Sequence, residues 1–209
     1  MDVYFVRHGE TVLNRMRVHQ SPGTPLSVVG QEQAGTVAEL LRVVNPDLLL
    51  TSEYTRAIET ARVIGMRVGL QPQTNGLVYE IVRPSSLYGK SHFHPKTLWY
   101  VFFSYLKRRN QKWHFEDAEN FSDIENRAKN AVKYLESLNG KNQSIVVVSH
   151  AIFIQCMVSY MSRRTVFPMV DTILNMLQIK RLRNTDIVHV KFDSENDSAQ
   201  SKWRIGEGI

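Results

Sequence analysis

Phe5-Val6-Arg7-His8-Gly9-Glu10-Thr11 ends a short apolar run, begun at Val3, with a cation, an imidazole, a glycine and a hydroxyl. Apolar runs of this length bounded by turn residues read as buried strands. In open α/β folds ligands bind beyond the carboxyl ends of the strands. The stretch therefore predicts a first strand that delivers Arg7 and His8 to a ligand-binding edge. His8 reads as a nucleophile aimed at a phosphoryl group.

Working outward, Ser27 is a candidate N-cap for a helix whose apolar face is Ala34, Val37, Ala38, Leu41 and Val44, stopped by Asn45-Pro46. Asp47 to Thr51 reads as a second buried strand. Strand, helix and strand in this order form a βαβ unit and imply a parallel sheet. Ser52 is placed as the cap of the next helix, with Tyr54, Ala57, Ile58, Ala61 and Ile64 inward and Gly65 at its end. Arg56 falls near that helix N-terminus, where free backbone N–H groups and a guanidinium suit an anion.

Leu77 to Val82 reads as a short strand carrying Glu80, and Pro84-Ser85-Ser86 and Gly89 as loops. Leu98, Val101, Phe102 and Tyr105 lie at helical spacing within 95–106, a cap helix packed over the sheet edge. A loop with acidic residues, 115–121, leads to an amphipathic helix predicted to begin at Ser122 and to end at Asn139-Gly140. Ile145 to Val148 is β-branched throughout, as expected of a strand buried on both faces. It ends in Ser149-His150 and leads into a helix with Phe153, Cys156, Met157, Tyr160 and Met161 inward. Two antiparallel strands, 175–181 and 187–192, are predicted around a turn at Arg183 to Asp186, before a polar tail at about 194–209 that Trp203 could pin back.

The fold class that follows is α/β: a three-layer α/β/α sandwich, with a central, mostly parallel sheet and a small helical cap insertion at about 84–119. The whole chain, 1–209, reads as one domain.

Composition narrows the function classes. The 209 residues are 43% hydrophobic and include one cysteine, Cys156, so neither an intrachain disulfide nor a zinc site built on several cysteines can form. No run approaches the length of a membrane span, and the N-terminal apolar run is too short for a secretory signal. Together these give the expectation of a cytoplasmic protein with no membrane partner. The net charge of +6 favours anionic partners. The basic clusters Lys107-Arg108-Arg109, Arg163-Arg164 and 180–183 lack the aromatic spacing of an RNA-binding sheet, so nucleic acid is disfavoured. Oligomeric state is not legible, a homodimer being one option.

Arg7, His8, Arg56, Glu80 and His150 converge on one edge if the strands are parallel. Two arginines and two histidines around a point suit a dianionic phosphoryl group.

Arg7-His8-Gly9-Glu10-Thr11, the stretch Thr51-Ser52-Glu53-Tyr54-Thr55-Arg56-Ala57-Ile58-Glu59-Thr60-Ala61, and Val148-Ser149-His150 resemble the histidine phosphatase superfamily, also called phosphoglycerate-mutase-like. Asn14, Gln20, Pro25-Leu26-Ser27, Gly30-Gln31 and Gln33-Ala34 add supporting matches, and the resemblance covers roughly residues 3 to 192. It implies a metal-independent, cofactor-free phosphomonoester hydrolase with a transient phosphohistidine on His8. Arg7, Arg56 and His150 would bind the phosphoryl oxygens. By position Glu80 would be the general acid and base. Gly9, Asn14, Gln20 and Ala151 would be secondary phosphate or substrate contacts, and the partner a phosphorylated small molecule.

Some positions depart from the family pattern. Ala151 stands where a glycine commonly follows the second histidine. The segment after Glu80 differs from that of the mutases, which favours a phosphatase, and leaves Glu116, Asp117 and Glu119 as fallback acids. Phe93, Trp99, Phe102, Phe103 and Tyr105 suggest an aromatic-walled cap, and Arg83, Lys90 and Lys96 a second anionic contact. His92 and His94 have a spacing compatible with a metal on a strand but read better as loop or pocket rim. The competing functions are a phosphoglycerate-type mutase and a non-catalytic binder of phosphorylated ligands or nucleic acid.

Overall fold

The computed structural model of the protein describes residues 1–163, 165–166, 182–195 and 202–206. Among these, six strands form one sheet in the order β3-β2-β4-β1-β5-β6. The strands are β1 (Asp2–Arg7), β2 (Leu48–Thr51), β3 (Gln73–Thr74), β4 (Ser144–Ser149), β5 (Ile187–Phe192) and β6 (Trp203–Ile205). β1, β2 and β3 run parallel within the sheet with β4, while β5 and β6 are antiparallel additions beside β1. The strand expected at 175–181 lies outside the described residues.

Side-chain alternation along the strands builds two cores. Val3, Phe5, Ile145 and Val147 face α5 (Phe121–Glu136) and α6 (Ala151–Arg163), meeting Ala128, Leu135, Phe153 and Met157. Val6, Leu49, Val146 and Val148 face α2 (Val28–Val44) and α3 (Thr55–Val68), meeting Val37, Leu41, Ala57 and Ile64. This is the expected α/β/α sandwich. Residues 145–148 are fully buried, which explains their unbroken β-branched run.

The helix termini refine the sequence reading. Ser27 caps α2, its hydroxyl accepting from Gly30 N at 3.1 Å. Gly65 does not end α3. The helix runs on to Gly69, in the left-handed region at φ 75°, and Gly65 is instead a packing glycine, since a Cβ there would lie 2.4 Å from Leu70 O. Asn120, not Ser122, caps α5, in a capping box with Asp123. A short helix, α1 (Val12–Arg15), occupies the start of the loop after β1.

Leu77 to Val82 is not a strand. The Leu77 and Tyr79 carbonyls, which a ladder would use, accept from Arg127 Nη1 at 3.3 and 2.8 Å. Val78 O accepts from Ser149 Oγ at 2.6 Å. Arg127 is almost fully buried, paired to Glu119 through Nε and Nη2 at 2.7 Å each, and its guanidinium lies over Tyr79 and Phe153. One buried guanidinium thus fixes the loop that carries Glu80. A helix, α4 (Pro95–Leu106), forms over the expected span but buries Thr97 and Tyr100, against Leu87 and Ala118, while Leu98 and Phe102 of the expected apolar face are exposed.

Removing one partner of a buried ion pair leaves the other charge uncompensated. Arg127→Leu is therefore expected to destabilise the fold by about 3–5 kcal/mol. Urea unfolding measures this, and an unchanged midpoint would show that the guanidinium does not pin the loop.

Candidate active site

The backbone hydrogen-bond pattern continues past the strands. His8 N donates to Ser149 O at 3.0 Å and Ser52 N to Val148 O at 3.0 Å. With Val6 opposite Val148 and Arg7 opposite Ser149, the residues that follow β1 and β4 emerge side by side. The His8 and His150 rings accordingly lie 5.0 Å apart.

His8 is buried, with Nδ1 2.7 Å from Gly9 O. A carbonyl only accepts, so Nδ1 carries the proton and Nε2 keeps its lone pair. Arg56 Nε donates to that Nε2 at 3.2 Å, and Arg56 Nη1 donates to Ser21 O at 3.0 Å. Burial holds His8 well below the usual histidine range, and the Arg56 and Arg7 guanidiniums add to this. His150 is completely buried and held low by burial, Arg56 and His8. Its Nε2 lies 2.8 Å from Ser52 Oγ, while Nδ1 has no hydrogen-bond partner among the described residues. Burial also pushes the Arg56 guanidinium down to about 10, which leaves it charged at neutral pH.

A cavity of about 220 Å³ opens here, lined by Arg7, His8, Asn14, Gln20, Arg56, Glu80 and Ala151 among others. The N-termini of α3 and α6 both reach it through Tyr54, Arg56, Ala151 and Ile152. Glu80 spans the entry to α6. Its Oε1 accepts from Ile81 N at 3.0 Å and Phe153 N at 3.1 Å, and its Oε2 from Ile152 N at 3.4 Å. Ala151 opens α6 with no left-handed backbone, so the missing glycine costs nothing there.

The structure brings together Arg7, His8, Arg56, Glu80 and His150, with Asn14, Gln20 and Ala151 at the cavity wall. His150, fully buried, stays out of the lining, and so does Gly9. Its N–H donates to Thr60 Oγ1 and its carbonyl holds His8, and a Cβ there would sit 2.4 Å from Gly30 O, so Gly9 serves close backbone packing. The fallback acids are engaged elsewhere: Glu119 with Arg127 and Val82 N, Glu116 with Lys96 and Ser86, Asp117 with Ser85 N.

The aromatic wall expected from α4 does not form. Phe93, Trp99, Phe102, Phe103 and Tyr105 are absent from the cavity lining, and Phe93, Trp99 and Phe102 are each more than half exposed. Its place is taken by Tyr54, Tyr88, Arg83, His19 and His92. His92 fulfils the rim expectation, while His94 caps α4 by accepting from Lys96 N and does not lie on a strand. Lys96 pairs with Glu116 and not with the cavity.

A family model described as the histidine phosphatase superfamily (branch 1) matches residues 3–201. The chain belongs to that superfamily. A probable phosphoglycerate mutase GpmB of Yersinia enterocolitica is 37% identical over 82 residues, a stretch covering 39% of this chain and 38% of that protein. A GpmB of Enterobacter is 37% identical over 70 residues, 33% of each chain. The match thus spans well under half the length of these curated relatives. Among solved structures, a mycobacterial glucosyl-3-phosphoglycerate phosphatase with bound VO3 superimposes with a TM-score of 0.75 at 22% identity, over 98% of this chain and 96% of that one. The α-ribazole phosphatase of Shigella flexneri gives 0.72 at 23% identity, over 93% and 92%. At such identities the structural likeness establishes the fold.

Within this histidine phosphatase fold, sequence reasoning missed several residues that hold the site. Asn184, taken only as part of a turn, donates to His8 O at 3.0 Å and to Asn14 Oδ1 at 3.3 Å. Ser52, taken as a helix cap, faces His150, and α3 starts from Tyr54 with no side-chain cap. Thr60 lay inside a quoted motif but without a role. Nothing local marks Asn184, because its partner is 176 residues away.

His8 and His150 fold as neutral rings, whereas in the unfolded chain each protonates near 6.5. Below that value the unfolded state binds more protons, so stability is full above about pH 6.5 and falls as pH drops. Each ring is expected to contribute a slope of up to about 1.4 kcal/mol per pH unit in the ligand-free protein. Urea midpoints between pH 7 and 5 test this, with His150→Asn removing one proton from the slope. A flat profile would contradict the neutral, buried state.

Proposed function

We propose that this protein hydrolyses phosphomonoesters through a phosphohistidine on His8. The observation that carries the reading is the fixed tautomer: Nδ1 tied to the Gly9 carbonyl, and a nucleophilic Nε2 at a cavity wall beside Arg56 and Arg7. Neutral imidazole is the attacking form, and burial with two guanidiniums keeps it neutral.

His8 Nε2 forms a bond to phosphorus as the bond to the ester oxygen breaks. Glu80 gives that oxygen its proton, and the alcohol leaves. Positive charge arising on the ring is shared with the Gly9 carbonyl through Nδ1–H. Arg7 and Arg56 take the phosphoryl oxygens, whose charge they match, and His150, a neutral ring 5.0 Å from His8, would offer them its unpaired Nδ1–H. Water then attacks phosphorus, Glu80 removes its proton, and the bond to His8 breaks to release inorganic phosphate. Asn14 and Gln20 line the same wall as further polar contacts. The leaving group would face Arg83, Tyr88, His19 and His92, which favours an alcohol that carries a second anionic group.

The test is hydrolysis of a chromogenic aryl phosphate, with and without EDTA. His8→Ala should abolish it, and acid-quenched wild type should retain label from a ³²P-ester. Glu80→Gln should lower turnover by roughly 10²–10⁴ with an alkyl phosphate and far less with the aryl ester, whose leaving group needs no proton. Equal losses on both substrates would remove Glu80 from the acid role. Arg83→Ala should raise KM for esters whose alcohol carries a second anionic group, with little change in KM or kcat for the aryl ester.

A second reading, a phosphoglycerate-type mutase, is favoured by the partial sequence likeness to the probable phosphoglycerate mutases GpmB. It requires the phosphoryl group to return to another hydroxyl of the same substrate. Isomerisation of a phosphoglycerate outpacing phosphate release, dependent on a bisphosphorylated primer, would establish it over hydrolysis.

A further inference from the structure

Helix α4 is turned inside out. Its solvent face carries Leu98, Trp99, Phe102 and Leu106, each more than half exposed, with Tyr105 at the margin and exposed Phe93 just before the helix. These positions recur three and four apart and form one apolar stripe. The opposite face, buried against Leu87 and Ala118, carries Thr97 and Tyr100. The site described above uses none of the exposed side chains.

The charge of the chain is concentrated at the same place. Residues 90–113 contain six Lys and Arg and no Asp or Glu, while the rest of the chain balances at twenty of each. The whole net charge of +6 therefore belongs to the segment that bears the stripe. Lys107, Arg109 and Lys112 follow directly on α4 and are exposed, and Arg108 lies over the Tyr105 ring at 4.1 Å.

We infer that α4 is a docking surface for an anionic lipid bilayer, lying in the interface with Leu98, Trp99, Phe102 and Leu106 inserted and the basic run against the headgroups. An apolar face with Trp, Phe and Leu beside Lys and Arg is the composition of interfacial helices. Among the described residues no helix is long and apolar enough to cross a membrane, so the attachment is peripheral. The expectation of no membrane partner rested on the lack of such a span and did not address surface docking. A second copy of the chain fits less well, because it would appose two segments that each carry six cations and no carboxylate. Nucleic acid fits less well because Leu98 and Leu106, half of the inserted stripe, offer bases no stacking surface. The inference is independent of the catalytic reading.

The experiment is co-sedimentation of the full chain with phosphatidylcholine vesicles, with and without phosphatidylserine, at low and high salt. Binding is expected only with phosphatidylserine and should weaken with salt. It should fall roughly tenfold or more in Lys107→Ser/Arg109→Ser, and comparably in Leu98→Ser/Phe102→Ser. Vesicles should blue-shift tryptophan emission in the wild type and much less in Trp99→Phe. Circular dichroism and urea midpoints equal to wild type would show that these exposed changes leave the fold intact. Absence of vesicle binding, or binding indifferent to lipid charge and to both double variants, would overturn the inference. So would a concentration-dependent dimer, or RNA binding without vesicle binding, that Leu98→Ser/Phe102→Ser abolishes.

Discussion

The site depends on one backbone constraint, the parallel register of β1 against β4. Val6 opposite Val148 and Arg7 opposite Ser149 leave no freedom in where the next residues emerge, because the hydrogen bonds from His8 N and Ser52 N extend the ladder beyond the strand ends. A slip of one residue would turn His8 to the other face of the sheet and exchange the two cores. The β-branched run at 145–148, buried on both faces, makes such a slip costly, since every side chain there has a fitted partner.

Within that frame, desolvation and charge act in the same direction on the histidines. Burial penalises the imidazolium, and the neighbouring guanidiniums penalise it again. Arg56 resists the same burial because its starting value is so much higher, and it remains a cation beside a neutral ring. The Arg56 Nε to His8 Nε2 contact at 3.2 Å is therefore a charged donor on a neutral acceptor. A phosphoryl oxygen is a stronger acceptor for the same N–H. In the proposed reaction an incoming dianion would draw Arg56 away from Nε2 and free the lone pair in one exchange, which would make binding of the oxygens and activation of the ring a single event.

The legibility of the sequence follows the range of the physics involved. The strands β1, β2 and β4, the faces of α2, α3, α5 and α6, and the motifs around His8, Arg56 and His150 are local patterns, and each lies where its pattern says. Glu80 was placed by position, and the structure sets it at the start of α6 although the strand imagined around it does not exist. A guanidinium some fifty residues away takes the carbonyls of that segment, and no local pattern announces it. Asn184 and Ser52 were hidden for the same reason. Each satisfies a group brought near only by the fold, and a polar residue in a turn or before a helix has an ordinary local explanation that conceals the other.

The cap shows a different limit. Periodicity locates an apolar stripe on α4 but does not say which way it faces, and the default is inward. Here the inward side is occupied by Thr97 and Tyr100, and the hydroxyl of Thr97 is drawn in by the Ser91 carbonyl and by His19 Nε2. Because His19 lines the cavity, the polar contact that shapes the rim also fixes the rotation of α4. The aromatic residues are then turned to solvent as a consequence of building the rim. A stripe of this size left in water without a partner is a liability for a folded chain. Its coincidence with the entire net charge of the molecule turns that liability into a directed surface, apolar along the helix and cationic at its end.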